Sequence, residues 1–426
     1  MTDFDNIFQV SSSNLRFGSG ATREIGLDLE DMGLKRTLLV IDPALRDLPT
    51  GQIVLESLRK ARVEFEVFDD VEVEPTGASF QYATEVAKRG GFDSFVAVGG
   101  GSTIDTAKAA NLYSTYPAEF LHYVNAPIGR GQPIPGPLKP LIAVPTTAGT
   151  GSETTGTAIF DLVSQHAKTG IAHRHLRPLL AIVDPDNTRT QPPAVAAAAG
   201  LDVLSHALES YTAIPFDRRP RPERPTLRPA YQGANPLSDL WAIRALEIVA
   251  EFLPRAVADP SDDEARAQMA LAASMAGIGF GNAGVHLPHG MSYPVAGMVR
   301  DYRPPGYAVD HPLIPHGMSV ILHTPAVVHF TAPACPERHL RAAAALGADV
   351  KGAAPEDAGE ILARRVIHFM RVLAMPSGLA AVGYTEADIP ALVIGTLPQH
   401  RVTKLSPRPA GEAELTELFQ ASMRLW

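Results

Sequence analysis

The stretch Phe95-Val-Ala-Val-Gly-Gly-Gly-Ser-Thr-Ile-Asp-Thr-Ala-Lys108 contains a short apolar segment, a run of glycines and a helix-forming segment. A nearly continuous apolar run is typical of a strand buried on both faces of a parallel sheet. Ser102 is predicted to cap the following helix, with Asp105 in a capping-box position. Glycines let a backbone approach a phosphate, and the start of a helix favours negative charge. The candidate pyrophosphate ligands are Gly99, Gly100, Gly101, Ser102 and Asp105. The alternative is a glycine turn without a ligand, because the spacing matches neither the usual dinucleotide fingerprint nor a Walker A loop.

Strand and helix patterns alternate around this motif. Residues 36–42, 63–68 and 92–99 are predicted strands, and residues 51–62 and 79–89 are predicted helices between them. This alternation predicts an α/β domain with a doubly wound parallel sheet. Ligands of such sheets bind outside the carboxyl ends of the strands.

A second loop of small residues, 145–153, also follows an apolar strand, so that two loops are expected to hold one extended cofactor. Asp42 ends the first strand, where its carboxylate is expected to accept a ribose hydroxyl and to repel a 2′-phosphate, which favours NAD over NADP. The alternative is that Asp42 only begins the turn Asp-Pro-Ala. The candidate cofactor ligands of the second loop are Thr146, Thr147, Thr150 and Ser152.

Two cationic segments are candidates for binding acidic groups. Residues 160–178 include Lys168, a candidate cofactor ligand, and Arg174 and Arg177, candidate ligands of a substrate carboxylate. Residues 214–236 are too rich in proline for a helix and contribute Arg228 as a third such candidate. Solvent-exposed loops are the alternative for both segments.

The pattern changes after residue 186 to Ala- and Leu-rich helical periodicity, at residues 193–211, 237–257, 265–276 and 354–375. A chain of 426 residues exceeds what one hydrophobic core normally serves. We therefore expect an α/β dinucleotide-binding domain at residues 1–188 and an all-α metal-binding domain at residues 189–426.

Composition excludes several classes of partner. A formal net charge of −9 argues against nucleic acid and against an anionic membrane surface. The single cysteine, Cys335, cannot form an internal disulfide. The first residues are acidic and no apolar run has the length of a membrane span, so a cytoplasmic protein is expected.

Four residues of the predicted helical domain form a candidate metal site. Asp202 and His206 are four residues apart and would share a helical face. His289 and His316 each lie in a Pro-His-Gly sequence, and Pro315 suits a helix that begins at His316. One carboxylate and three imidazoles suit Fe²⁺ or Zn²⁺ and disfavour Ca²⁺ and Mg²⁺. Beside a dinucleotide, such an ion would polarise an alcohol oxygen for hydride transfer.

Together, the glycine loop 99–108, the loop 145–153 and the Asp202, His206, His289 and His316 motifs resemble the iron-containing (group III) alcohol dehydrogenase family. The resemblance implies a dinucleotide-binding α/β domain, an all-helical metal domain, and these four residues as metal ligands.

Segments 168–172, 231–236 and 279–294 resemble the hydroxyacid–oxoacid transhydrogenase branch of that family. This branch is expected to oxidise 4-hydroxybutyrate to succinate semialdehyde while it reduces 2-oxoglutarate to 2-hydroxyglutarate on bound NAD. Many family members have a second histidine where this chain has Tyr293, so that His286 and Tyr293 become the candidate catalytic residues. A homo-oligomer, dimeric or larger, is also expected.

Three other readings compete with this one. The nearest is an NAD-dependent alcohol or hydroxyacid dehydrogenase that releases NADH in each turnover. A cyclase of the dehydroquinate synthase type would need a further phosphate site in the substrate cleft, and the sequence offers no spare one. A metal-dependent hydrolase would leave the two glycine loops without a function.

Overall fold

The computed structural model describes residues 4–163, 167–307, 309 and 311–426. These residues divide into two compact units. The α/β unit is Ser12–Gln191, and the helical unit combines Pro192–Trp426 with the N-terminal residues up to Ser11. The assignment of cofactor binding to residues 1–188 and of metal binding to residues 189–426 stays a prediction.

Six strands of the α/β unit form one parallel sheet in the order β1-β8-β5-β4-β2-β3. A separate antiparallel hairpin pairs β6 with β7. The strands are β1 (Asn14–Phe17), β2 (Arg36–Ile41), β3 (Glu64–Phe68), β4 (Ser94–Gly99), β5 (Leu141–Pro145), β6 (Thr157–Leu162), β7 (Ala167–Ala172) and β8 (Leu180–Val183).

Helices cover both faces of the sheet because its central strands carry buried apolar side chains on both sides. Leu39 and Ile41 of β2 belong to one buried cluster with residues of α1 and α2. Leu38 and Val40 of the same strand belong to another, with residues of α3 and α4. This two-sided burial is the reason why these strands lack the polar alternation of a half-exposed sheet. The helices of this unit are α1 (Ile25–Asp31), α2 (Pro49–Lys60), α3 (Gly77–Gly90) and α4 (Gly101–Thr115).

The strand order changes direction between β2 and β4. From β2 the chain passes to β3 at one edge, and it then returns to place β4 on the other side of β2. The carboxyl ends of β2 and β4 therefore form a topological switch point, where open α/β sheets bind ligands. The predicted parallel α/β fold is confirmed, and Asp42 and the glycine loop lie at this switch point.

The helical unit contains the remaining helices, several of which begin at proline, a residue favoured in the first turn. They are α5 (Pro193–Thr212), α6 (Pro236–Ala258), α7 (Asp263–Ala283), α8 (Leu287–Gly297), α9 (His316–Ile321), α10 (Thr324–Thr331), α11 (Pro336–Ala345), α12 (Ala358–Val372), α13 (Ile389–Thr396), α14 (His400–Thr403) and α15 (Glu412–Ser422). The predicted helical character of this half is confirmed. Among the residues described, none of the helices has the length and apolar character needed to cross a membrane.

Helix α5 lies at the centre of the helical unit and packs against α6, α7 and α9. It is buried over most of its length, including the polar residues Asp202, His206 and Glu209. Buried charged groups are rare unless they are paired or bind a metal, so these residues direct attention to the interior of this unit.

Candidate metal centre

Three helices bring the four predicted metal ligands together. Asp202 and His206 lie on α5, His289 lies in the first turn of α8, and α9 begins at His316 as predicted. Asp202 Oδ1 is 3.6 Å from Nε2 of both His206 and His289, and 3.9 Å from Nε2 of His316. The four ligand atoms all lie within 4.8 Å of one another. The arrangement offers one carboxylate oxygen and three imidazole nitrogens to a single point.

The glycine after each of the two later histidines permits this close approach. A Cβ on Gly317 would lie 2.0 Å from the carbonyl oxygen of Ala198 on α5. A Cβ on Gly290 would lie 2.7 Å from Cγ2 of Thr403 on α14. Each Pro-His-Gly sequence therefore places a histidine at a helix start that packs directly against a neighbouring helix.

The chemistry of the cluster fits a metal ion. Within the described part of the chain, Asp202 Oδ1 and His289 Nε2 are buried and have no hydrogen-bond partner. Burying polar atoms without a partner is costly, and a divalent cation would satisfy both atoms. A mixed nitrogen and oxygen set suits a transition metal better than Ca²⁺ or Mg²⁺.

Glu209 is a further residue of this site that the sequence reasoning missed. Its Oε1 is 2.6 Å from Nδ1 of His289, and its Oε2 accepts the backbone N–H of His286 at 2.6 Å. A carboxylate on Nδ1 fixes the ring orientation and leaves Nε2 to bind a metal. The sequence spacing could have predicted this residue, because Glu209 follows Asp202 by seven residues and His206 by three and so lies on the same face of α5.

The side chains of the candidate metal site differ in the direction of their pKa shifts. Burial disfavours a charge on Asp202, but His206 and His316 outweigh it and hold the pKa of that carboxyl well below its usual range. Burial lowers the pKa of His206 to about 3. Burial opposes a charge on His289, yet Glu209 and Asp202 raise its pKa to about 10. In the metal-free protein His289 is thus the protonated imidazole of the cluster, and a metal ion would have to replace that proton.

An aromatic ring restrains the histidine of α5. The rings of His206 and Phe280 are stacked, with centroids 3.9 Å apart and planes 9° from parallel. Because Phe280 lies on α7, this contact joins a fourth helix to the ligand cluster and restricts the rotation of the His206 ring.

The two candidate catalytic residues, His286 and Tyr293, are both buried. His286 Nε2 is 3.0 Å from Oγ1 of Thr212, and burial lowers the pKa of this imidazole to about 4. The hydroxyl of Tyr293 accepts a hydrogen bond of 3.0 Å from Arg401. Their catalytic roles stay predictions.

The candidate cofactor residues of the α/β unit meet at the switch point. The backbone N–H of Asp42 donates to Val98 O, and that of Thr146 donates to Gly99 O, both at 3.1 Å. The carboxylate of Asp42 accepts from the N–H of Ala44 at 2.9 Å, so Asp42 does begin the turn that was its alternative reading. It lies at the strand end in either case, and its role toward a ribose stays a prediction.

The three glycines differ in their surroundings. A Cβ on Gly99 would lie 2.3 Å from Oγ1 of Thr103, and one on Gly101 would lie 2.7 Å from Cγ2 of Thr150. A Cβ on Gly100 would meet only Thr147, at an ordinary 3.5 Å. Packing within the protein therefore explains Gly99 and Gly101. It does not require a glycine at position 100, which fits a backbone that a ligand approaches.

The predicted capping of the glycine-loop helix is wrong. Helix α4 begins at Gly101 with Gly100 as its N-cap, and Ser102 instead accepts the backbone N–H of Glu74 at 3.2 Å. Asp105 points into the protein, where it accepts from Ser152 Oγ at 2.5 Å and from the N–H of Ile159 at 2.8 Å. Long-range contacts thus prevail over the local capping pattern.

The cationic candidates are largely engaged within the protein. Lys168 is buried and paired with Glu74 and Asp161. Arg177 Nε donates to Thr154 O at 2.9 Å, and Arg174 lies in a short 3₁₀ turn. The remaining candidate, Arg228, donates to both oxygens of Asp5, at 2.8 and 3.2 Å. Its pairing with Asp5 gives no support to a role in substrate binding.

A parallel α/β unit with a glycine loop at its switch point, joined in one chain to a helical unit with an Asp–His₃ cluster, defines the class of metal-dependent dehydrogenases. The chain belongs to the iron-containing alcohol dehydrogenase family. Residues 12–185 match the model "Iron-containing alcohol dehydrogenase", and residues 230–423 match "Fe-containing alcohol dehydrogenase family, C-terminal". The protein is accordingly an oxidoreductase.

Individual relatives refine the comparison. The chain is 58% identical over 424 residues to "Hydroxyacid-oxoacid transhydrogenase, mitochondrial" of Mus musculus, an alignment that covers 99% of this chain and 91% of the relative. A crystal structure of 1,3-propanediol oxidoreductase is 28% identical, with a TM-score of 0.85 and coverage of 98% of this chain and 100% of that one. Sulfoacetaldehyde reductase from Bifidobacterium kashiwanohense, in complex with NAD⁺, is 26% identical, with a TM-score of 0.79 and coverage of 98% and 99%.

The predicted cytoplasmic location is wrong. The mouse relative and others of the same enzyme name are designated mitochondrial. The prediction used the first residues and the absence of a long apolar run, and neither observation reports the compartment in which a folded enzyme works.

Proposed function

We propose that this protein transfers hydride from a hydroxyacid to an oxoacid through bound NAD. The proposed reaction converts 4-hydroxybutyrate and 2-oxoglutarate to succinate semialdehyde and 2-hydroxyglutarate. The observation that carries the proposal is the 58% identity to a hydroxyacid–oxoacid transhydrogenase over 99% of this chain. In the balanced reaction the first acid loses a hydride and a proton, and the second gains both, so that NAD is regenerated.

The proposed metal ligands are Asp202, His206, His289 and His316, whose ligand atoms converge within 4.8 Å. A bound divalent ion, Fe²⁺ by family and Zn²⁺ as the alternative, supplies Lewis-acid polarisation of the substrate oxygen. Glu209 orients His289, and Phe280 holds the ring of His206. These contacts fix the ligands before an ion binds, which lowers the entropic cost of forming the site.

The proposed NAD ligands are the glycine loop, Asp42 and the hydroxyl loop after β5. Gly100 supports this role best because a Cβ there would meet only Thr147, at an ordinary 3.5 Å, so that packing within the protein does not by itself require a glycine. The cofactor supplies the hydride acceptor and donor, whereas the protein supplies backbone N–H groups for its phosphates. The other proposed contacts are Gly99, Gly101, Ser102, Asp105, Thr146, Thr147, Thr150, Ser152 and Lys168.

Self-association is part of the proposal. Leu237, Leu240 and Trp241 follow helical spacing on α6 and are 46%, 68% and 37% exposed. An exposed apolar face of this kind supports a homo-oligomer of two or more copies. Light scattering coupled to size-exclusion chromatography tests it, and a monomer at micromolar concentration would contradict it.

The test of the proposed function uses the metal-loaded protein with both acids and NAD at far below substrate concentration. The expected result is 2-hydroxyglutarate in large excess over total NAD, because the cofactor is regenerated by each pair of half-reactions. If 4-hydroxybutyrate is oxidised only while NADH accumulates in equal amount, the protein is instead a dehydrogenase that releases its cofactor.

A further inference from the structure

Arg401 of α14 contacts helix α8, which carries the proposed ligand His289, and none of the described carboxylates forms an ion pair with it. Its NH2 group donates to the hydroxyl of Tyr293 at 3.0 Å, and its guanidinium carbon lies 5.0 Å from the ring centroid of Tyr231. Across the described residues no carboxylate forms an ion pair with Arg401, and its NH1 nitrogen is buried without a hydrogen-bond partner. The guanidinium is therefore held in place by aromatic groups while part of its hydrogen-bonding capacity stays unused.

Two other partly buried arginines of the helical unit have carboxylate partners. Arg228 is paired with Asp5, and Arg338 donates to Asp239 while it also stacks over Tyr211. Burying part of a guanidinium without a carboxylate is costly, and that cost is recovered when an anionic ligand binds. The comparison with these two arginines points to a bound anionic ligand as the partner of Arg401.

The position of Arg401 relative to the metal ligands follows from α8. His289 and Tyr293 are four residues apart on this helix, so they lie on one face about 6 Å apart along its axis. Helix α14 is held against the start of α8 at Gly290, where a Cβ would lie 2.7 Å from Thr403. Arg401 thus reaches the face of α8 that carries His289, one turn further along.

We propose that Arg401 binds a carboxylate of both acid substrates, with Tyr293 positioning the guanidinium. This inference rests on the proposed function and deepens it. In 4-hydroxybutyrate and in 2-oxoglutarate the same number of carbon–carbon bonds separates the reacting carbon from a terminal carboxylate. One cation at a fixed distance from the metal ligands therefore serves both half-reactions in turn. A guanidinium suits this task because two of its N–H groups match the two oxygens of a carboxylate.

The hypothesis also accounts for Tyr293. Its hydroxyl is engaged by Arg401, so it holds the substrate-binding cation, and it would act on the reaction through Arg401. This makes Tyr293 a positioning residue.

The test measures binding of glutarate, an unreactive dicarboxylate, to the metal-loaded protein by calorimetry. Arg401→Gln is expected to weaken glutarate binding by about tenfold to hundredfold, the effect of losing a charged hydrogen-bond pair. Arg401→Lys should be intermediate, because an ammonium keeps the charge but lacks the planar fork. Arg408→Gln is the matched control: this exposed arginine of the same unit lies over the ring of Phe330 at 4.1 Å and should bind glutarate like the wild type.

A kinetic comparison separates substrate binding from structural damage. With Arg401→Gln, kcat/KM for 4-hydroxybutyrate should fall in parallel with glutarate affinity, while kcat/KM for uncharged 1,4-butanediol stays within about threefold of wild type. Wild-type glutarate affinity in Arg401→Gln, or in Arg401→Lys if the former does not fold, would overturn the inference. Equal losses on the charged and uncharged substrates would overturn it as well. If the wild type makes no 2-hydroxyglutarate but glutarate binding still depends on Arg401, the proposed function fails, while the assignment of Arg401 as a carboxylate-binding residue stands.

Discussion

Glu209→Gln is predicted to weaken metal binding although Glu209 is not itself a proposed ligand. The carboxylate accepts from His289 Nδ1 through one oxygen and from the backbone N–H of His286 through the other, both at 2.6 Å. An amide has only one oxygen, so in either orientation its NH₂ group faces another donor. The substitution therefore removes a charged hydrogen bond worth about 1.5–3 kcal/mol and leaves a buried donor without an acceptor.

The expected consequence is a metal affinity about tenfold to hundredfold lower, the range measured when groups that orient metal ligands are replaced. The assay is the metal content of purified protein after equilibration against a series of buffered Fe²⁺ or Zn²⁺ concentrations. His289→Ala, which removes a proposed ligand, provides the reference for full loss. A Glu209→Gln protein that folds and binds metal with wild-type affinity would refute the orienting role of Glu209.

Three further predictions follow from the structure. First, metal affinity should rise by about tenfold per pH unit as the pH increases toward 10, because the pKa of metal-free His289 is raised to about 10 and its proton must leave when the metal binds. Calorimetry in buffers of different ionisation enthalpy measures the release of this proton. Metal binding without proton release at pH 7 would contradict the prediction. Second, Gly100→Ala should fold normally but bind NAD more weakly, whereas Gly101→Ala should lower the melting temperature, because only the Cβ at position 101 meets Thr150, at 2.7 Å. If the two variants change NAD affinity and melting temperature equally, a cofactor role of Gly100 is not supported. Third, Arg228→Gln should destabilise the fold by about 3–5 kcal/mol, since it leaves the buried carboxylate of Asp5 with an uncharged partner, while KM for the acid substrates stays unchanged. Denaturant unfolding measures the loss of stability, and steady-state kinetics measures KM. A selective rise in KM for the acids would restore Arg228 as a substrate ligand.

Local patterns in the sequence were sufficient to predict strand β2 and the shared helical face of Asp202 and His206. The predicted strand at residues 36–42 corresponds to β2 at Arg36–Ile41, because the buried run of residues 38–41 is apolar at each position. Likewise, a spacing of four residues places Asp202 and His206 on one face of any helix. Such features depend on the backbone period alone.

Features that depend on tertiary contacts were not predicted. Serine is a favoured N-cap residue, but α4 already begins at Gly101, one residue before Ser102. The carboxylate of Asp105 accepts a hydrogen bond from Ser152, which is 47 positions away in sequence. Arg401 contacts Tyr293 across 108 positions and belongs to no motif. From sequence alone, a charged residue in a C-terminal segment is expected to be exposed to solvent, whereas the fold places Arg401 against a tyrosine and gives it no carboxylate partner among the residues described.

The central claim is that hydride passes from one acid to the other on a cofactor that this protein regenerates. The most direct measurement uses 4-hydroxybutyrate with deuterium on its hydroxyl-bearing carbon, 2-oxoglutarate, metal-loaded protein and NAD far below substrate concentration. Mass spectrometry is predicted to find deuterium on the hydroxyl-bearing carbon of 2-hydroxyglutarate, in amounts well above total NAD. Unlabelled 2-hydroxyglutarate, or none beyond the amount of NAD, would contradict the account.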